Sequence, residues 1–274
     1  MPTTDLKIIA VIQARLGSTR LPGKALIKIA GRNPIEWIKY RLSFCHNLDG
    51  VVLSTVSSSD NDQLAELASR IGLDIYRGSE SDLVARIYQT AGQFGADAVV
   101  RITADCPLVD PQLVDKMVAF YRQQAADCDY VCNVLPRTFP HGLDLEIIST
   151  ASLARLSSEV TDPVYRENIT TTIMENPDSY RVVNFNNDKN LASLRLTLDY
   201  PEDLELITKI FNNLHQEGRI FNLDDILGLF QRQPQLLDIN RHRIDLAAIN
   251  QIEGQEKNKT HFIRQEQLKN LIIY

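Results

Sequence analysis

Leu6-Lys7-Ile8-Ile9-Ala10-Val11-Ile12-Gln13 is apolar at every position from Ile8 to Ile12. A run this short without polar alternation reads as a strand buried on both faces. Three further runs repeat the pattern: Gly50–Val56, Ala98–Thr103 and residues 130–134. Helical stretches separate them. Asp60 followed by Gln63 and the spacing of Leu64, Leu67 and Ala68 predict a capped helix that ends at Gly72. Residues 81–94 place Leu83, Val84, Ile87, Tyr88 and Ala91 on one face, and Asp110-Pro111 opens another helix with proline at its favoured first position. Alternation of this kind predicts an α/β domain: a mostly parallel sheet with helices on both faces, whose ligands lie beyond the carboxyl ends of the strands.

The regularity weakens after Asn133. Residues 142–149 read as an alternating strand and 161–176 as a helix stopped by Pro177. Residues 180–186 and 194–198 read as further strands, and Pro201–Leu214 as a helix. The expected organisation is a main domain over 1–232 with a smaller inserted sub-region at about 133–190, followed by an extension over 233–274 whose stretch 251–260 is polar and charged.

Composition narrows the function. Twenty-nine Lys+Arg stand against 35 Asp+Glu, a formal charge of −6, with 44% hydrophobic residues in 274. Such a chain has ample material for a core and is not of disordered composition. Its acidity argues against a general nucleic-acid binder, which needs a basic surface, and leaves room for a local anion site. No apolar run approaches the ~20 residues of a membrane span. The first residues lack the basic region and cleavage site of a secretory signal. The four cysteines, Cys45, Cys106, Cys128 and Cys132, are expected to be reduced, in a cytoplasmic protein, with no zinc site.

The segment directly after the first strand departs from the overall charge. Gln13-Ala14-Arg15-Leu16-Gly17-Ser18-Thr19-Arg20-Leu21-Pro22-Gly23-Lys24 gathers Arg15, Arg20 and Lys24 in an acidic protein, together with Gly17, Ser18, Thr19 and Gly23. Cations and flexible backbone donors at a strand's carboxyl end suit a polyphosphate; the alternative is an ordinary solvated loop. Five residues separate Gly17 from Gly23 and Ala25 follows Lys24, so this is not a Walker A loop, and no dinucleotide G-x-G-x-x-G occurs. Two aspartates follow strand-like runs in the same manner. Asp105 comes just after 98–103 and is not needed as a helix cap, because Asp110 serves there. Asp199 ends 194–198, and with Glu202 it also reads as a capping box.

The loop from Gln13 to Lys24 resembles the signature of sugar-acid cytidylyltransferases, the CMP-Kdo and CMP-N-acylneuraminate synthetases, and most closely their SpsF-like branch of spore coat polysaccharide biosynthesis. The resemblance continues through Arg77-Gly78-Ser79-Glu80-Ser81-Asp82, Arg101-Ile102-Thr103-Ala104-Asp105-Cys106-Pro107-Leu108, His141-Gly142-Leu143-Asp144-Leu145-Glu146 and Leu198-Asp199-Tyr200-Pro201-Glu202-Asp203. It implies a Rossmann-like fold of the nucleotide-diphospho-sugar transferase type, and a magnesium-dependent transfer of CMP from CTP to an acidic sugar with release of pyrophosphate. By the same resemblance Arg15, Lys24 and Asp105 would be catalytic. Asp105 and Asp199 would hold Mg2+. Ala14, Arg15, Gly17, Ser18, Arg20, Lys24, Arg77, Gly78 and Ser79 would contact the nucleotide, and Arg101, His141 and Asp144 the sugar. The resemblance also implies a homodimer, through the segment about 133–190.

Plainer readings stand beside these. Arg77-Gly78-Ser79 also reads as a turn with Ser79 or Ser81 as helix cap. Arg101, inside a buried strand, needs a partner, which is either a substrate carboxylate or a structural ion pair. Asp144 and Glu146 fall on one side of a strand by period-2 geometry. Asn168 stands where the branch would have histidine, and an amide cannot exchange a proton as imidazole does. His46, His215, His242 and His261 lack ligand spacing, and Trp37 reads as core. A glycosyltransferase is the competing enzyme class, since Asp127-Cys128-Asp129 matches a D-x-D metal motif; the triplet lies at the amino edge of its strand, away from the expected crevice. A non-catalytic nucleotide or sugar binder is the third reading.

Overall fold

The computed structural model describes residues 6–125, 127–175, 179–244 and 262–263. Its elements in chain order are β1 (Ile8–Gln13), α1 (Pro34–Leu42), β2 (Gly50–Val56), α2 (Asp62–Ile71), β3 (Asp74–Gly78), α3 (Leu83–Gln93), β4 (Ala98–Thr103) and α4 (Pro111–Gln124). There follow β5 (Tyr130–Cys132), β6 (Glu146–Ser149), α5 (Thr150–Glu159), α6 (Pro163–Arg166), α7 (Ile169–Glu175), β7 (Val182–Phe185), α8 (Pro201–Leu214), α9 (Leu223–Arg232) and β8 (Phe262–Ile263). One sheet of eight strands runs in the order β3-β2-β1-β4-β6-β5-β7-β8. All pairings are parallel except those of β6, which is antiparallel to β4 and to β5. β1 pairs with β2 on one side and β4 on the other, so the crossovers diverge there and leave a crevice at its carboxyl end.

The apolar run of β1 does what its sequence dictates. Ile8, Ala10 and Ile12 enter a core shared with α1, α2, α4, α8 and α9, whereas Ile9 and Val11 enter a second core with α3, α5 and α7. Trp37 belongs to the first core and stacks on Phe211 with ring centroids 4.1 Å apart. α3 is capped by Asp82, whose carboxylate accepts from Ala85 N at 2.8 Å, and not by Ser79 or Ser81. α4 is capped by Asp110 and α2 ends at left-handed Gly72.

Several expected elements take other forms. Only 146–149 of the expected strand 142–149 pairs, so the same-side relation of Asp144 and Glu146 does not hold as a strand property. The expected helix over 161–176 is broken into α6 and α7, because Asn168 starts a new turn by accepting from Thr171 N. Residues 194–198 run extended but make only one bridge, Arg195 beside His141. α2 begins at Asp62 with no side-chain cap. Its neighbour Asn61 instead accepts from Leu16 N at 3.0 Å and so anchors the loop after β1. The stretch 251–260 lies outside the described residues.

The segment 194–198 is held where it is by one close approach. Gly142 has φ +108°, and a Cβ there would lie 2.3 Å from Leu196 C and 2.4 Å from Thr197 N. His141 N donates to Leu194 O and Leu196 N to His141 O, so the two segments zip together with no room for a side chain. Gly142→Ala therefore incurs both a forbidden dihedral and a backbone clash, and is expected to destabilise the fold by roughly 3 kcal/mol or more. Urea unfolding followed by circular dichroism measures this, and a change below ~1 kcal/mol would contradict it.

Candidate active site

The loop after β1 leaves the sheet at Ala14, whose N–H donates to Ser54 O at 3.2 Å. It returns at Gly23, whose φ of +67° makes the reversal into a short 3-10 turn over Lys24–Leu26. That reversal sends Lys24 back over the crevice. The loop and the ends of β1 and β4 enclose a cleft of about 310 Å³, lined by Gln13, Ala14, Arg15, Gly17, Ser18, Thr19, Arg20, Lys24, Thr103, Ala104, Asp105 and Asp199 among others.

Inside it Lys24 Nζ donates to Asp105 Oδ2 at 2.7 Å and to Asp199 Oδ1 at 2.8 Å. Arg20 Nη2 reaches the same Asp199 oxygen at 2.8 Å. Thr103 Oγ1 donates to Asp105 Oδ1 at 2.5 Å, and Arg195 Nη2 lies 3.2 Å from Asp199 Oδ2. The backbone ties the two carboxylates together as well, since Leu198 N and Thr197 Oγ1 both donate to Asp105 O, at 2.8 and 3.2 Å. Burial works to raise the Asp199 carboxyl pKa, but hydrogen bonds and charge from Lys24 and Arg20 outweigh it and hold it well below the ordinary aspartate range. Burial likewise opposes the Lys24 charge; Asp105 and Asp199 outweigh it and raise that pKa.

Asp199 is free for this role because it caps nothing. The reach-back to the start of α8 is made by Asp203, whose Oδ2 accepts from Asp199 N at 2.9 Å and Tyr200 N at 3.0 Å. The expected capping pair of Asp199 with Glu202 does not form. Arg15 lines the cleft, is exposed, and has no hydrogen-bond or ion-pair partner among the described residues. Behind it stands Arg86, 2% exposed. Its Nη1 donates to Ser79 O, and its Nε has no partner. Burial, then the charge of Arg15, lowers its pKa.

Other expected contacts fall outside this cleft. Arg77 turns toward the carbonyls of Ser57 and Ser58 and pairs with Asp62 at 2.6 Å, and Gly78 and Ser79 are not among the cleft's lining residues. Arg101 takes the structural option. Its guanidinium meets both oxygens of Glu146, with Gln13 Oε1 at 2.8 Å and Thr170 Oγ1 at 3.2 Å. Asp144 is held by both terminal nitrogens of Arg137, which together with His141 keeps its carboxyl pKa down against burial. His141 lies beside Arg195, Nδ1 to Nη1 3.3 Å. Burial lowers its pKa, the nearby Arg137 and Arg195 add to that, and Asp144 opposes it. Asp127-Cys128-Asp129 sits at the start of β5, at the opposite sheet edge from the cleft, with Asp129 paired to Arg181. Sequence reasoning missed Arg195, Asp203 and Arg86. A signal existed for Arg195: it is the one charge in the apolar alternation Leu194, Leu196, Leu198, with aspartates four and eight positions on.

Cations facing paired carboxylates beyond the ends of parallel strands suit a nucleotidyltransferase, and the family match shows that class. The chain belongs to the cytidylyltransferase family, whose profile matches residues 9–224. The spore coat polysaccharide biosynthesis protein SpsF of Bacillus subtilis is 27% identical over 83% of this chain and 95% of its own length. A 3-deoxy-manno-octulosonate cytidylyltransferase of Geobacter sulfurreducens is 31% identical over a shorter match, 42% of this chain and 45% of that one. A solved cytidylyltransferase from Leptospira borgpetersenii superposes with a TM-score of 0.81 at 30% identity, covering 85% of this chain and 97% of its own.

The charge balance has a measurable signature. Asp199 is held ionised, so its stabilising contribution is complete above the ordinary aspartate pKa of ~3.9 and is lost only as pH falls through its lower folded value. Lys24→Met removes the first of the groups that hold it down and leaves burial unopposed by that ammonium, so the Asp199 carboxyl pKa is expected to rise by at least one unit. Carboxyl carbon chemical shifts followed against pH report it, and an unmoved titration would contradict the pairing.

Proposed function

We propose that the protein is a magnesium-dependent enzyme that joins CMP from CTP to an acidic, nonulosonic-type sugar and releases pyrophosphate, in the making of a surface polysaccharide. The observation that carries this reading is the convergence of Lys24, Arg20 and Arg15 with Asp105 and Asp199 on one cleft. The family, and the names of the relatives, supply the cytidine nucleotide and the sugar-acid acceptor.

In the reaction an acceptor hydroxyl oxygen forms a bond to the α-phosphorus. The bond from that phosphorus to the oxygen bridging to the β-phosphorus breaks, pyrophosphate leaves with the electron pair, and the hydroxyl proton is given up to solvent. A triphosphate repels an incoming oxygen, so the chain's task is charge neutralisation and alignment. Arg15, with no partner among the described residues, is placed to take a phosphate oxygen; Arg20 and Lys24 balance the charge that collects on the leaving group. Gly17 brings backbone to the same wall, while Ser18 N is used within the loop, donating to Leu16 O at 2.9 Å.

The residues fit the cation that this reading requires. Two carboxylate oxygens already share one ammonium nitrogen, which stands in for a positive charge between them. Among the described residues no group of three or more His, Cys, Asp and Glu forms a metal cluster. On this reading Asp105 and Asp199 would hold Mg2+, with phosphate oxygens and water completing its shell, as magnesium prefers. When bound it would draw charge from the α-phosphate and orient it. Arg101 and Asp144 have Glu146 and Arg137 as partners, so their charges are already balanced, and half-exposed His141 is the group proposed to meet a sugar hydroxyl.

Asp105→Asn and Lys24→Ala are each expected to lower pyrophosphate release from CTP by about a hundredfold or more, in a coupled phosphate assay with a panel of 2-keto sugar acids. Activity of the unaltered protein with no CTP and acceptor pair, or full activity in either variant, would remove the reading.

A further inference from the structure

Residues beyond the family match at 224 reach back to the pair that holds Asp199. Short 3-10 turns at Pro234–Asp238 and Arg241–Arg243 flank Asn240, which is 3% exposed, and Leu236 roots the segment in the main core. Asn240 Nδ2 donates to Arg195 O at 3.0 Å and to Asp203 Oδ1 at 2.9 Å. Asp203 is fully buried, and Arg195 Nε and Nη2 each reach it at 2.9 Å. The same two residues hold Asp199: Asp203 accepts its backbone N–H, and Arg195 meets its carboxylate. Three residues along, Arg243 Nη2 donates to Glu202 at 2.9 Å and its guanidinium lies 4.2 Å from the centre of the Tyr200 ring.

We propose that Asn240 is a positioning residue: its amide locks the Arg195–Asp203 pair, and that pair sets both the backbone and the carboxylate of Asp199 for the cation and triphosphate. The proposal rests on the nucleotidyltransferase reading above. A buried carboxylate that loses a donor is left partly unsatisfied, and here the remaining donors include the Asp199 N–H and the guanidinium that Asp199 shares, so any readjustment is shared with Asp199. A change at Asn240, which is not among the cleft's lining residues, is thereby passed to a group that is.

The test uses the full chain with Asn240→Ala and the isosteric Asn240→Asp, which turns an oxygen toward Asp203. Asn222→Ala, which removes the α9 cap bond to Asp225 N, serves as a stability control away from the cleft. Both Asn240 variants are expected to raise the magnesium concentration for half-maximal rate and to lower kcat by roughly tenfold, with the KM for CTP within about twofold, and Asp is expected to be the more severe. Mn2+ bound in the presence of CTP without acceptor, counted by electron paramagnetic resonance, should weaken in step, while Asn222→Ala leaves both readouts unchanged. Unchanged metal dependence in folded Asn240 variants would overturn the proposal. So would outright unfolding of both at 25 °C, because the role is then structural alone. If the unaltered protein releases no pyrophosphate from CTP with any acceptor, the reading beneath it fails instead, and Mn2+ binding still reports on Asn240.

Discussion

One ammonium group, Lys24 Nζ, lies between carboxylates 81 and 175 positions further along the chain. Two acids brought this close in a partly buried cleft repel each other and resist burial, so the arrangement stands only if cations meet them. Lys24, Arg20 and Arg195 do so from three directions. Each arrival depends on backbone set elsewhere: the reversal at Gly23, the end of β4, and the seam between Gly142 and Leu196 that fixes the approach to Asp199. The sheet supplies the common edge on which these pieces meet.

Much of this frame was legible in the chain. β2, β4 and α8 begin and end where their patterns do, because runs buried on both faces and strongly amphipathic runs leave little choice. The weaker half of the fold was harder to read for physical reasons. β6 runs against its neighbours and is preceded by an irregular stretch, so its alternation spreads over more residues than actually pair. The helix around Asn168 breaks because a side chain competes for a backbone donor, a local event that apolar periodicity does not record.

At the site, residue types and strand ends located Lys24, Asp105 and Asp199 together, and the structure brings them within hydrogen-bonding distance. The partners of Arg101 and Asp144 were not legible, since Glu146 and Arg137 become their neighbours only through sheet pairing and loop closure. The capping reading of Asp199 gives way because Asp203 makes that contact. A single charged side chain in an apolar alternation, Arg195, was the one visible sign of the network behind it.

The bridging lysine also bears on how the cleft fills. With its ammonium lodged between them, the two carboxylates are already balanced, so a bare divalent ion of the kind proposed would first have to displace a well-held charge. An ion that arrives already clasped by a triphosphate brings anionic oxygens for the displaced ammonium to follow. On the proposed function, the held ammonium would favour joint entry of metal and nucleotide over stepwise capture.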